Sequence, residues 1–152
     1  MINLHFTTHR IVSARYSNVP ITVIRLKGWV KLLRADDTFG EARHAIIDTG
    51  AFVSIIPLHI WQGLALSISA DSVTFGGINP HPECQVPSVL GQITGILVDR
   101  ESHLSPEFVF PAFLAKTDQV PLILGFANLL SRFNICFDYG SGEAFALSTS
   151  VG

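Results

Sequence analysis

One carboxylate in this 152-residue chain stands where chemistry could use it. In Ala45-Ile46-Ile47-Asp48-Thr49-Gly50-Ala51 an ionisable side chain ends an apolar run and is followed by Gly, which permits a tight backbone turn. A carboxylate fixed in that way can give or take a proton. The same tripeptide is also, and more simply, a strand ending in a turn capped by its own Asp. The other acids Asp36, Asp37, Asp71, Asp99, Asp118 and Asp138 lie in turn-like or polar contexts and read as solvated. No other constellation offers a reaction. The six histidines show no His-Glu-x-x-His or Cys/His spacing, so no metal site is expected, and His5 with His9 reads as one face of a polar strand. Gly76-Gly77 lacks the further glycines and Lys of a phosphate loop, no Gly-x-Ser-x-Gly occurs, and neither Cys84 nor Cys136 carries a nucleophile signature.

A second segment changes the weight of the first. Val120-Pro121-Leu122-Ile123-Leu124-Gly125 also runs apolar residues into Gly, and residues of helical spacing follow it. An apolar strand ending in Asp48-Thr49-Gly50-Ala51, paired with a later Ile123-Leu124-Gly125 and a helix, resembles the retropepsin-like family of aspartic proteases. The likeness runs over roughly residues 21–139. It implies that the two segments are neighbouring strands, with Ile123, Leu124 and Gly125 packed beneath the catalytic loop. It further implies that Gly76, Gly77 and Ile78, within Phe75-Gly76-Gly77-Ile78-Asn79-Pro80, belong to a flap that closes over substrate, although Gly-Gly and Asn-Pro also mark ordinary surface turns. Phe133 to Tyr139 resembles the strand that follows the family's C-terminal helix. Two departures stand out: viral members commonly carry Asp and Arg where this chain has Phe52 and Phe126. In this the chain is closer to bacterial or transposon-type relatives.

The resemblance implies an aspartic endopeptidase. Its chemistry needs two carboxylates that share a proton, one activating water as base and the other polarising the carbonyl as acid. Two such groups in contact cannot both ionise cheaply. Only one Asp-Thr-Gly occurs, so a symmetric homodimer with one Asp48 from each chain is the economical solution. Thr49 would then brace the two loops across the axis, Gly50 would let substrate backbone approach, and Ala51 would line the floor. Ile56, Ile78, Leu122 and Ile123 are candidate pocket residues and equally candidate core. The alternative is a catalytically silent dimerisation or peptide-binding module of the same fold, which would have no evident need for paired carboxylates on its axis.

Composition bounds the rest. The chain is the size of one domain, 1–152, read as an N-terminal extension over 1–20 and a core over about 21–147. Hydrophobic residues make up 48% and charged residues only 14%, against roughly 25% in a typical soluble domain. That leaves apolar surface for a partner. A net charge of -2 gives no electrostatic case for nucleic acid or an anionic membrane. No apolar run reaches about 18 residues, and Met1 to Arg10 lacks a signal core, which favours a soluble, cytoplasmic protein. Cys84 and Cys136 read as two buried free thiols, and no cofactor is expected.

Turn signals at short intervals among apolar, β-branched and aromatic residues predict an all-β domain, here a single retropepsin-like barrel with one or two short helices. Strands are expected over 10–16, 21–26, 29–34, 41–48, 72–75, 92–98, 108–115, 120–124, 134–139 and 144–147. Asp36, Asp37 and Gly40 predict a hairpin turn, Pro57 opens a short helix ended by Gly63, and Phe126 to Phe133 is expected to be the better helix.

Overall fold

Alternating apolar and polar residues build eleven strands in the computed structural model, which describes residues 1–12, 14–76 and 85–149. In chain order they are β1 (Ile2–Asn3), β2 (His5–Val12), β3 (Pro20–Leu32), β4 (Arg43–Ile47), β5 (Ser54–Ile56), β6 (Leu66–Phe75), β7 (Val86–Val98), β8 (Phe108–Ala115), β9 (Ile123–Leu124), β10 (Phe133–Asp138) and β11 (Glu143–Ser148). A single α-helical turn, α1 (Leu58–Trp61), follows Pro57, and the Trp61 indole N–H donates to the Ala115 carbonyl at 2.8 Å. The domain is therefore mostly β, as expected. Among the described residues no helix is long and apolar enough to cross a membrane.

Eight strands form one sheet in the order β2-β3-β4-β9-β5-β8-β7-β6, and β10 lies in a second sheet ordered β1-β11-β10. An additional pairing of β3 with β7 closes β3, β4, β9, β5, β8 and β7 into a ring, which removes their free edges. Inside it, Phe108, Phe110, Ala112 and Leu114 of β8 face Ile93 and Leu97 of β7, and all are buried in one continuous core.

β3 makes this closure possible. Its first half pairs with β2 and its second half with β4 and β7. The sequence reading split it in two at Gly28, but the chain runs straight through. A Cβ on Gly28 would stand 2.9 Å from Leu4 Cδ2 and 3.4 Å from Ile47 Cδ1, so glycine here admits neighbouring side chains rather than making a turn. The hairpin between β3 and β4 turns where expected: Asp37 adopts φ 66°, and Asp36 Oδ1 accepts from the Thr38 amide at 3.1 Å.

Residues 1–20 do more than extend the domain. Ile2 and Leu4 are buried in the core, and β1 pairs with β11. The strand expected over 10–16 begins earlier, at His5, and stops at Val12, because Ala14–Tyr16 form a 3-10 turn and Ser17 and Asn18 take left-handed conformations. The helix expected over Phe126 to Phe133 is absent as such. Asn128 is left-handed at φ 53° and Leu129 is displaced from helical angles, so amides of Leu130 and Ser131 reach back five residues to Gly125 and Phe126. Only Leu130–Arg132 form a 3-10 turn. Leu129, Leu130 and Phe133 are buried even so, which explains the helical spacing.

Two further expectations are corrected. Cys136 is a half-buried free thiol, and Cys84 lies outside the described residues. Asp99 is buried, with its side chain only 1% exposed. Burial alone would raise its pKa, but backbone N–H donors from Asn3, His103 and Glu101 and the His103 ring outweigh it and hold the carboxyl at about 2. The carboxylate thereby joins β1 to the loop after β7.

Replacing Asp99 with Ala strands those amides and is expected to cost about 3 kcal/mol at neutral pH. Because the folded pKa lies below the ordinary 3.8, this contribution is complete above 3.8 and fades as pH falls toward about 2. Urea unfolding of wild type and variant should show a gap that closes over that window. A gap independent of pH would remove the carboxylate from the account.

Candidate active site

Asp48 directly follows β4, where the apolar alternation that buries Ala45 and Ile47 ends. What holds it is β9, inserted between β4 and β5. β9 runs parallel to β4, pairing Ile46 with Ile123 and Ile47 with Leu124, and antiparallel to β5. Amides of Ile46 and Asp48 donate to the carbonyls of Leu122 and Leu124 at 2.9 and 3.1 Å. Two segments whose paired residues lie 77 positions apart are thus adjacent strands, as the resemblance implied.

The loop after Asp48 folds back on itself. The Gly50 amide donates to Asp48 Oδ1 at 2.9 Å and the Ala51 amide to the Asp48 carbonyl at 3.2 Å. Gly125 then locks the loop from below. Its amide donates to Ser54 Oγ at 2.9 Å in a fully buried bond, while the amides of Phe126 and Ala127 donate to the carbonyls of Ala51 and Phe52 at 2.8 and 2.9 Å. A Cβ on Gly125 would stand 2.6 Å from the Val53 carbonyl group, so no other residue fits without moving backbone. Ser54 was missed in the sequence reading. The available signal was one hydroxyl in the apolar run Val53-Ser54-Ile55-Ile56.

Above this loop lies a cleft of about 520 Å³, lined by Asp48, Gly50, Ala51, Phe52, Val53, Ile55, Phe75, Gly76 and Phe113. Among the described residues Asp48 is the one ionisable side chain in that lining. Three rings form one wall: Phe75 stacks on Phe113 at 5.1 Å, and Phe52 meets Phe113 edge-on at 5.9 Å. β6 and β7 pair antiparallel from Leu66↔Ile93 to Phe75↔Val86, and Phe75 and Gly76, at the end of β6, reach the lining. Gly77 and Ile78 lie outside the described residues.

Of the candidate pocket residues, Ile56 and Leu122 are core at 0% and 5% exposure, because the alternation of β5 points Ile55 rather than Ile56 outward. Ile123 is half-buried between β4 and β5 and is not part of the lining. Thr49 is exposed, with no hydrogen bond of its hydroxyl among the described residues. Phe52 and Phe126 are exposed at 71% and 49% beside the loop. Among the described residues no group of three or more His, Cys, Asp or Glu is placed to hold a metal ion.

Gly125→Ala should destabilise the protein by about 3 kcal/mol, the scale of forcing backbone apart in a packed interior. Gly63→Ala, where the added methyl meets open space, should change stability by less than about 0.5 kcal/mol. Denaturation midpoints of the two variants test the lock, and equal midpoints would refute it.

No family model matches this sequence and no curated protein is significantly similar to it, so the functional reading rests on the arrangement of the residues themselves.

Proposed function

We propose that this chain is a retropepsin-like aspartic endopeptidase, a barrel of the acid-protease type that works as a C2 homodimer. The observation that carries the reading is the Asp48 loop, held by backbone hydrogen bonds to Leu124, Phe126 and Ala127 and seated on Gly125, at a cleft that Phe75 and Gly76 help line.

The loop's own amide fixes one carboxylate oxygen and leaves the group turned to the cleft. A lone carboxylate can accept the proton of an attacking water but cannot at the same time protonate the carbonyl oxygen. With a second Asp48 beside it the pair divides these roles. The ionised member takes a proton as the water oxygen bonds to the carbonyl carbon, and the protonated member gives its proton to the carbonyl oxygen, forming a tetrahedral diol. Return of a proton to the amide nitrogen then lets the C–N bond break.

Three features support the second copy as its source. Among the described residues the cleft lining offers no other acid and the Thr49 hydroxyl has no partner in its own chain, and Phe52 and Phe126 leave exposed apolar surface beside the loop. An extended peptide would lie over Gly50 and Ala51 beneath Gly76, with large apolar side chains against the Phe52, Phe113 and Phe75 wall. Its partners are therefore peptide substrate and its own copy.

Asp48→Asn keeps the volume of the side chain and removes its charge. Cleavage of an apolar peptide library should fall about a thousandfold or more, with fold and dimer retained. Near-wild-type cleavage would eliminate Asp48 as catalyst. A wild-type chain that binds library peptides but cuts none would be the silent module instead.

Mixing tests the shared site. When wild-type and Asp48→Asn chains are co-refolded at rising mutant ratios, activity should follow the square of the wild-type fraction, since a mixed dimer holds one ionisable group. A linear decline would mean that each chain works alone.

A further inference from the structure

His5 opens β2 and His44 lies in β4, on either side of β3, and they meet ring to ring. Their planes are 7° apart, their centroids 4.8 Å apart, and the two Nε2 atoms 2.6 Å apart. Rings so nearly parallel with such close nitrogens share one proton: one N–H donates to the lone pair of the other. The pair rests on Trp29 of β3, whose ring stacks on His44 at 4.5 Å and lies 6.3 Å from His5. The Trp29 indole N–H is buried and has no hydrogen-bond partner among the described residues, so aromatic contact is what holds that face.

We propose that His5, His44 and Trp29 form a proton-operated latch, which ties the base of the N-terminal hairpin to β4 while the imidazoles hold one shared proton and opens when each carries its own. The N–H···N bond needs one lone pair, and a second added proton removes it and sets two cations in contact. Nearby charges push in the same direction. Lys27 of β3 and Arg100 of the loop after β7 both disfavour charge on the rings, and Glu101, which lines the cleft beside His5 with Arg100, is the acid on that side. Burial, the largest cause, lowers both histidine pKa values below the ordinary 6.5, with Arg100 and Lys27 next for His5 and Lys27 and His5 next for His44. A lowered folded pKa means that the latch contributes stability fully above 6.5 and loses it as pH falls below that. The Asp99 tie between Asn3 and the Glu101–His103 loop stays ionised throughout, since its carboxyl titrates at about 2. Opening is therefore local to the hairpin base. The latch stands independently of the peptidase reading.

The test uses Trp29 as reporter in a Trp61→Phe background, with fluorescence followed from about pH 8 to about pH 5, the range of imidazole titration. Imidazolium against indole should quench emission, with a midpoint below 6.5. Over the same range, amide protection in β2, residues 5–12, corrected for intrinsic exchange, should fall about tenfold, the scale of one lost ionic or hydrogen-bond tie. His5→Asn should raise the quenching midpoint, because His44 then titrates without a charged neighbour, and should abolish the pH-dependent loss of protection. His44→Asn should abolish that loss too, which guards against a folding defect peculiar to one variant. An unchanged midpoint in His5→Asn, or protection that is flat with pH in the wild type, would overturn the latch.

Discussion

The structure depends on one close approach, the seating of Gly125 against the backbone of Val53. Where a side chain would have intruded to 2.6 Å, bare Cα lets β9 slide between β4 and β5 and bring the amides of Phe126 and Ala127 to the carbonyls of Ala51 and Phe52. The Gly125 amide would otherwise be a buried donor without a partner, so the fit has energetic consequences beyond its size. Ser54 completes it by accepting the Gly125 amide in the core. The Asp48 loop inherits its rigidity from that seating, since it has no regular secondary structure of its own.

Barrel closure follows the same economy. Gly28 gives up its side chain so that Leu4 and Ile47 can pack across β3, and the strand then serves β2 with one half and β4 and β7 with the other. The first residues of the chain are built into this arrangement through Ile2 and Leu4, the β1–β11 pairing and the Asn3 amide on Asp99. The N-terminal strand and the Asp48 strand are thus mechanically neighbours, linked across β3.

Much of the site was legible because it is written in short local patterns. Apolar runs ending at Asp48 and Gly125 can be read as strands leading into turns, and the hairpin at Asp36, Asp37 and Gly40 has its own turn chemistry. Other features were hidden for physical reasons. Spacing at 129, 130 and 133 reports which side chains are buried, and an irregular turn through left-handed Asn128 buries them without a helix, while Phe126 stays exposed. Asp99 looked solvated because its burial is set by Asn3, 96 positions away, and by a loop that wraps it with amides. His5 seemed to belong with His9, yet strand order places it against His44. Such pairings come from tertiary register, which no local window contains.

The polar contacts that remain divide into two groups by what a change of pH does to them. Backbone amides on a carboxylate, as at Asp99, strengthen the ionised form, and that tie is fully effective down to about pH 3.8 and weakens only below it. Imidazole pairs need a free lone pair and fail much earlier. For a protein whose proposed chemistry turns on a shared proton between carboxylates, the distinction has a consequence. The scaffold around β1 and the loop after β7 is fastened by contacts that tolerate mild acid, while the fastening between β2 and β4 is sensitive to it. His44 lies in β4 and Asp48 just after it, and the three residues between them, Ala45, Ile46 and Ile47, are paired to β3 or β9. Those pairings insulate the Asp48 loop from events at the His44 end of β4.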